Sequence, residues 1–314
     1  MKNWRCLGNG LLLLTAFIWG TAFVFQRAGM DSIEPITFNA ARMALAAVAV
    51  GLVAFLTRQR GQKVSALRTS AEQKQYRQNT IVGGICCGIF LSLGSIFQQI
   101  GLVYTTAGKA GFITAMYILL VPVIGFVLLK KKSTWLVWTA VLLGVIGMYF
   151  LCISGEFRLS HGDVLLCICA VFFSCHILCC DHFAQRGNPI CISAIQFATV
   201  TVISSTAAFV AEKPSMEKLV SAAIPIMYCG IVSGGIGYTL QLVAQKYTDP
   251  TIASLLMSME SVFAVIAGVI LLHEHMSIRE LSGCIIMFAA IVLVQIPHKF
   301  CKERKCVVKH KVSE

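Results

Sequence analysis

The order of apolar and polar residues divides the chain into long apolar runs separated by short polar segments. Each run comes close to the ~20 apolar residues that an α-helix needs to cross the ~30 Å hydrocarbon layer of a bilayer. The pattern therefore predicts ten transmembrane helices joined by short loops. The predicted runs are residues 10–26, 38–56, 80–102, 110–129, 134–153, 162–180, 190–211, 222–245, 250–272 and 280–297.

Composition points to the same class of protein. Hydrophobic residues make up 57% of the 314 residues and charged residues only 13%, against ~25% charged residues in ordinary soluble domains. The sequence predicts an all-α membrane protein without room for a sizeable soluble domain. The net charge of +12 arises from basic residues between apolar runs, where they set orientation and meet anionic lipid headgroups. This placement excludes a nucleic-acid-binding function.

Basic residues are concentrated on alternate loops. If the N-terminus is cytoplasmic, the inward-facing segments include the basic stretches 58–77, 130–132 and 299–311, and they carry most of the 26 Lys and Arg residues. An excess of Lys and Arg in short loops marks the cytoplasmic side. We therefore expect a multi-pass protein of the cell membrane with both termini in the cytoplasm and an even number of helices.

The two halves of the chain resemble each other in order and spacing. Five helices per half is an odd number, so the second copy enters the membrane from the opposite side. We expect two inverted five-helix repeats around a central cavity, at 10–153 and 162–297, followed by a basic cytoplasmic tail at 298–314. Inverted repeats let one polypeptide form inward-open and outward-open states around a shared site, as in secondary transporters. The matching positions are 102–105 with 245–248, Gln98 with Gln241, 128–129 with 271–272, and Pro35 with Pro189.

Glu260 lies near the centre of the ninth run. An ionised carboxylate alone in hydrocarbon costs at least a few kcal/mol, so it must be protonated, paired or facing water. Two interpretations stand side by side. Glu260 binds a cationic group or takes up a proton during transport, or it is a structural carboxylate bonded to a neighbouring helix.

Other polar and amphipathic residues fall inside the runs where leucine would suit a lipid-facing surface better. Solute cavities are mostly apolar with a few placed polar groups, and this mixture favours a neutral or zwitterionic metabolite. Interface anchoring by Trp and Tyr and helix bridging by Gln are the alternative readings. The candidates for solute binding, besides Glu260, are Trp19, Gln98, Gln99, Tyr117 and Gln241.

Three further polar residues in or beside the runs are read as structural. Arg42, near the outer end of the second run, is expected to reach water or cap carbonyl groups. Lys109 is expected at the membrane interface, and His176 is expected to be a satisfied core histidine.

Small residues and proline mark positions for close packing or bending. Gly84 and Gly88 form a GxxxG step in the third run, and Pro122 is expected to break the fourth. Gly234, Gly235 and Gly237 interrupt the eighth. We expect gates in the third, fourth, eighth and ninth helices, with plain tight packing as the alternative.

Most of the 14 cysteines sit inside apolar runs and read as small core residues. Cys175, His176, Cys179 and Cys180 share a helix face that a soft metal ion would suit, although ordinary packing explains them, and no metal site is assigned. Cys6, Cys301 and Cys306 flank the spans near basic residues, where acylation is the alternative to a free thiol.

Several short motifs add a family resemblance. They are Trp19-Gly20, Pro35 with Arg42, residues 111–114 leading to Val121-Pro122, residues 258–263, and residues 271–274 followed by Gly283. With these motifs the chain resembles the EamA-type transporters of the drug/metabolite transporter superfamily, over residues 10–297. The resemblance implies export or import of metabolites such as amino acids or drug-like molecules through a central cavity. Two positions depart from it: Ser261 stands where proline often follows the glutamate, and the first run lacks the carboxylate of the small multidrug relatives.

The function expected from these features is transport of small metabolites, amino-acid-like or drug-like, by alternating access. The expected partners are a small-molecule solute, the lipid bilayer and a coupling proton or ion. No catalytic cluster or phosphate, zinc or nucleophile motif is visible, so neither an enzyme nor a cofactor is expected. The alternatives are a multidrug cation exporter and a membrane receptor or scaffold that binds without transporting.

Overall fold

The computed structural model describes residues 2–57, 69–105, 107–128, 130, 134–152, 160–272 and 277–295. Over these ranges the regular structure is entirely helical. The all-α prediction is therefore confirmed for this part of the chain. The basic stretch 58–68, the motif residues 273–274, Cys301, Cys306 and the tail 298–314 lie outside the described residues, as does the side chain of Lys109.

Fourteen α-helices and one π-helix are labelled here in chain order. They are α1 (Lys2–Gly29), α2 (Pro35–Leu56), α3 (Ser70–Val103), α4 (Ala107–Thr114), α5 (Tyr117–Val127), α6 (Trp135–Cys152), α7 (His161–Ala184), α8 (Pro189–Ala211), α9 (Met216–Ser221), α10 (Ala223–Met227), the π-helix (Tyr228–Tyr238), α11 (Thr239–Ala244), α12 (Pro250–Met257), α13 (Glu260–Leu272) and α14 (Ile278–Gln295).

Eight segments of the described chain are long and apolar enough to cross a membrane, and two shorter apolar helices accompany them. The shorter ones, Trp135–Gly147 and Leu281–Leu293, coincide with the fifth and tenth predicted runs. The protein is thus a multi-pass membrane protein. The count of ten spans and the inverted arrangement stay predictions.

Proline and short polar residues set several helix starts. Pro35, Pro189 and Pro250 open α2, α8 and α12, where a missing N–H costs no helical hydrogen bond. Asn188 and Asp249 precede two of these prolines, and their side chains accept hydrogen bonds from the first backbone N–H groups. Such caps satisfy donors that would otherwise be exposed to lipid or protein interior.

Helices from the two halves interleave. α2 packs against α8, and α6 packs against α14; α3 packs along α7 and α8, while α1 packs against the π-helix, α11 and α13. One continuous core includes Phe23, Leu91, Ile118, Leu166 and Phe197. Both halves therefore share a single core rather than forming separate bundles.

The GxxxG step of α3 lies against α8. A Cβ on Gly84 would come 2.5 Å from Cβ of Ile195, and one on Gly88 would come 2.5 Å from Cβ of Thr199. Glycine is required for this close approach of the two helices. The contact accounts for tight packing, and a gating role for these two residues stays a proposal.

The start of α2 is held by a carboxylate from the other half of the chain. The carboxylate of Glu212, which follows the last residue of α8, accepts hydrogen bonds from the backbone N–H of Ile36 at 2.9 Å and of Thr37 at 2.7 Å. These N–H groups have no partner within the helix. The same end of the molecule carries an ion pair between Lys218 and Glu34.

Candidate functional site: a central cavity between two broken helices

Two helical segments are interrupted at equivalent places. The break between α4 and α5 falls at residues 115–116, and the break between α12 and α13 falls at 258–259. Pro122 lies inside α5, where its missing N–H removes one hydrogen bond from the helical ladder, and the full interruption of the span lies before it. The i→i−3 hydrogen bonds of Met116 to Ile113 and of Met259 to Leu256 tighten the chain just before each new helix begins.

Serine hydroxyls accompany the second break. The hydroxyl of Ser258 donates to the carbonyl oxygen of Leu255, and the hydroxyl of Ser261 donates to that of Ser258, each at 2.8 Å. Side-chain bonds of this kind compete with the helical ladder and compensate carbonyl groups freed by the break. The helix is thus interrupted at a place where Ser261, not proline, follows Glu260.

The first residues after the two breaks meet in the cavity. The hydroxyl of Tyr117 donates to Oε1 of Glu260 at 2.8 Å, and both side chains are almost fully buried. Glu260 occupies the first turn of α13, where the helix dipole favours negative charge. On the far side of this turn, Gly20 of α1 packs so closely that a Cβ there would lie 2.7 Å from the carbonyl oxygen of Glu260.

A second wall of the cavity is formed by α1 and the π-helix. Nε1 of Trp19 donates to the carbonyl oxygen of Ser233 at 3.2 Å. The hydroxyl of Thr15 donates to the carbonyl oxygen of Gly237 at 3.4 Å. Residues of α1 therefore satisfy carbonyl groups of the π-helix, whose i→i+5 pattern is rare and often found at functional sites. Gly237 is required here, because a Cβ would lie 2.7 Å from Nε1 of Trp19.

Arg42 is buried in the cavity wall, with 3% of its surface exposed. Its guanidinium donates to Oδ1 of Asn39 at 2.9 and 3.0 Å and to Oε1 of Gln26 at 3.0 Å. The amide of Asn39 in turn donates to the hydroxyls of Ser95 and Ser204. The expectation that Arg42 reaches water or caps carbonyls at the outer face is corrected, since amide side chains hold it inside.

The side chains of Arg42 and Glu260, a basic and an acidic group in one cavity, are not paired with each other. Within the described part of the chain neither Arg42 nor Glu260 forms an ion pair. The side-chain amide of Gln241 is fully buried, and neither its nitrogen nor its oxygen has a hydrogen-bond partner among the described residues. Buried polar groups are normally satisfied, so this amide is available to a ligand.

The cavity encloses about 450 Å³ of space between atoms, open solvent included. It brings together five of the six residues predicted to bind solute: Trp19, Gln98, Tyr117, Gln241 and Glu260. Gln99 is buried elsewhere, with Nε2 3.1 Å from Sδ of Met30. Sequence reasoning missed the remaining wall residues, which are Phe23, Gln26, Arg42, Thr114, Phe173, His176, Ile177, Ser233 and Tyr238.

Comparison with known protein families shows to which family the chain belongs. The profile of the EamA-like transporter family matches residues 7–153 and again residues 160–296. The chain belongs to the EamA-like transporter family. The resemblance drawn from the motifs is thereby confirmed, and the chain is a membrane transporter in the broad sense of that family.

Individual EamA-like relatives agree. An uncharacterized transporter of Archaeoglobus fulgidus is 29% identical over 286 residues, covering 91% of this chain and 84% of its own. The uncharacterized transporter YoaV of Bacillus subtilis is 22% identical over 291 residues, covering 90% and 94%. A crystal structure described only as that of a protein shares the fold, with a TM-score of 0.71 at 18% identity over 91% of this chain and 96% of that one.

Proposed function

We propose that the protein carries small zwitterionic metabolites, such as amino-acid-like solutes, across the cell membrane by alternating access. The observation that carries the proposal is the presence of Arg42 and Glu260, unpaired with each other, in the wall of one cavity. A carboxylate on the solute would bind the guanidinium of Arg42, whose planar fork suits carboxylates. An ammonium group would bind Glu260.

The rest of the wall suits the body of such a solute. Trp19, Phe23 and Phe173 offer aromatic surface for an apolar side chain. The unsatisfied amide of Gln241 supplies both a donor and an acceptor for orientation. A purely cationic drug would leave Arg42 facing a positive group, which disfavours the multidrug-exporter alternative.

The packing supports alternating access through inverted repeats. Under the proposed symmetry α1 corresponds to α7, α2 to α8, α3 to the π-helix with α11, and α4 and α5 to α12 and α13. The packing of α3 against α7 then corresponds to the packing of the π-helix against α1. In the same way, the packing of α3 against α8 corresponds to the packing of the π-helix against α2. Such equivalence would let the two halves exchange roles between inward-open and outward-open states.

Proteoliposomes provide the test. Purified protein is reconstituted and offered labelled amino acids, carboxylic acids without an amine, and amines without a carboxylate. We expect saturable flux of the amphoteric solutes only, and at least a tenfold loss in Arg42→Gln. Arg27→Gln serves as the matched control because Arg27 is exposed at the end of α1.

Three results would contradict the proposal. Equal flux of simple amines with Arg42→Gln unimpaired would indicate a cation exporter. Saturable binding without any flux would indicate a receptor. Tags at the two ends that become protease-accessible from opposite sides of the membrane would remove the inverted arrangement with both termini in the cytoplasm.

A further inference from the structure

A cluster of soft ligands lies directly behind the cavity wall. Cys87 of α3 and His176 and Cys180 of α7 are all buried. Their ligand atoms lie within 4.8 Å of one another. His176 also lines the cavity, so the cluster is reached from the solute path rather than from lipid.

We propose that Cys87, His176 and Cys180 bind a divalent, thiophilic d¹⁰ cation of the Zn²⁺ type. The geometry carries the proposal. Bonds of ~2.3 Å to sulfur and ~2.05 Å to nitrogen at a tetrahedral angle place two sulfurs about 3.8 Å apart and sulfur and nitrogen about 3.5 Å apart. The observed separations are 3.8 Å between the sulfurs of Cys87 and Cys180, and 3.4 Å between the Cys180 sulfur and Nε2 of His176.

The fourth position is oriented by Gln196 of α8. Its Oε1 lies 3.1 Å from Nε2 of His176 and accepts a hydrogen bond from the ring N–H in the metal-free protein. Metal binding at Nε2 would move that proton to Nδ1 and leave this oxygen free to become the fourth ligand. Its Nε2 is buried and has no hydrogen-bond partner among the described residues. No second hydrogen bond fixes the amide of Gln196, so it can turn its oxygen toward a bound cation.

Charge balance selects the divalent ion. When the cation binds, two metal–sulfur bonds form, two S–H bonds break, and two protons leave through the cavity. The product with two thiolates and a neutral imidazole carries no net charge, which suits a buried site. A monovalent ion bound by both thiolates would leave a net negative charge there.

Metal binding to the full-length, tag-free protein in detergent tests the site. Zn²⁺ is titrated in competition with a chromophoric chelator, and Co²⁺ serves as a spectroscopic probe of thiolate ligation. We expect one equivalent of Zn²⁺ and a thiolate-to-cobalt charge-transfer band. Cys87→Ser should lower the Zn²⁺ affinity at least tenfold and weaken the band, whereas Cys167→Ser, on an exposed position of α7, should change neither.

Absence of the cobalt band in the wild-type protein overturns the proposal, and this result needs no variant that folds. Unchanged affinity in both Cys87→Ser and Cys180→Ser overturns it as well. Because the readout is metal binding rather than solute flux, it stands or falls independently of the proposed transport function.

Discussion

Tyr117 and Glu260 stand at equivalent places in the two broken helices, 143 residues apart, and a hydrogen bond of 2.8 Å joins their side chains. Gln98 and Gln241, which share the same spacing in sequence, both line the same cavity. Residues that correspond between the halves thus converge on one site. A change at Tyr117 or Glu260 should therefore affect both halves at once.

Tyr117→Phe should impair transport without unfolding the protein. The variant leaves Glu260 without its phenolic donor, and an unsatisfied buried group costs about 1–3 kcal/mol. We expect flux in proteoliposomes to fall about tenfold, the low end of that range. Tyr104→Phe is the matched control because Tyr104 is exposed at the end of α3; an equal loss in both variants would remove the special role of Tyr117.

Glu260→Gln should separate proton coupling from solute binding. If Glu260 exchanges a proton during the cycle, the flux of wild-type protein depends on pH and that of Glu260→Gln does not. The measurement is initial uptake over a series of external pH values at fixed solute concentration. A pH profile that survives the substitution would remove the proton-coupling role of Glu260. Glu217→Gln, at an exposed position of α9, controls for a general charge effect.

Gly237→Ala should disturb the cavity wall more than Gly235→Ala. At Gly237 the new methyl group would meet Nε1 of Trp19 at 2.7 Å, whereas at Gly235 the nearest atom lies at 3.5 Å. Overpacking costs about 1–3 kcal/mol, so we expect a lower melting temperature and altered tryptophan fluorescence for Gly237→Ala. Similar behaviour of the two variants would show that Trp19 moves aside freely.

Glu212→Ala should destabilise the start of α2. The substitution removes the acceptor for two backbone N–H groups, and the loss of a helix cap costs about 0.5–2 kcal/mol. Unfolding in detergent, followed by circular dichroism, measures the effect. Glu217→Ala should be neutral by comparison, and an equal loss in both variants would argue against the capping role.

Glu34 should make the stability of the folded protein depend on pH in the acidic range. The hydrogen bond from Lys218 is the main cause that lowers the pKa of Glu34 from its ordinary value of 4.5. A carboxyl group whose pKa is lowered by folding stabilises the folded protein at pH values above its ordinary pKa. This contribution is lost as pH falls through the lowered pKa of the folded state. The melting temperature should therefore drop less below pH 4.5 in Glu34→Gln than in wild type. An equal acid-side drop in wild type and Glu34→Gln would contradict this prediction.

The apolar pattern predicted the membrane class and the positions of most helices because burial in hydrocarbon demands long apolar segments. The same pattern singled out Glu260 and Gln241 as candidate cavity residues, because carboxylate and amide groups are costly inside apolar segments unless they are paired or face a cavity. Arg42 was misjudged: its neighbours in sequence do not reveal that Gln26 and Asn39, from two helices, hold it in the cavity.

Helix interruptions were harder to place. Proline was the signal used, yet the fourth span breaks before Pro122 and the ninth breaks beside serines. A chain of hydroxyl bonds and i→i−3 turns leaves no periodic trace in the sequence. In the cluster of Cys87, His176 and Cys180, the sequence placed His176 and Cys180 on one helix face, whereas Cys87 joins them only through the packing of α3 on α7.

The segment Tyr228–Tyr238 is wound as a π-helix, in which each backbone hydrogen bond spans one more residue than in an α-helix. Rewinding a single turn into the α form would advance every later side chain by one position, about 100° around the axis. Tyr238 and Gln241 line the pocket, so the direction of both side chains depends on how this segment is wound. The composition of the pocket wall is thus tied to the winding of a single helical segment.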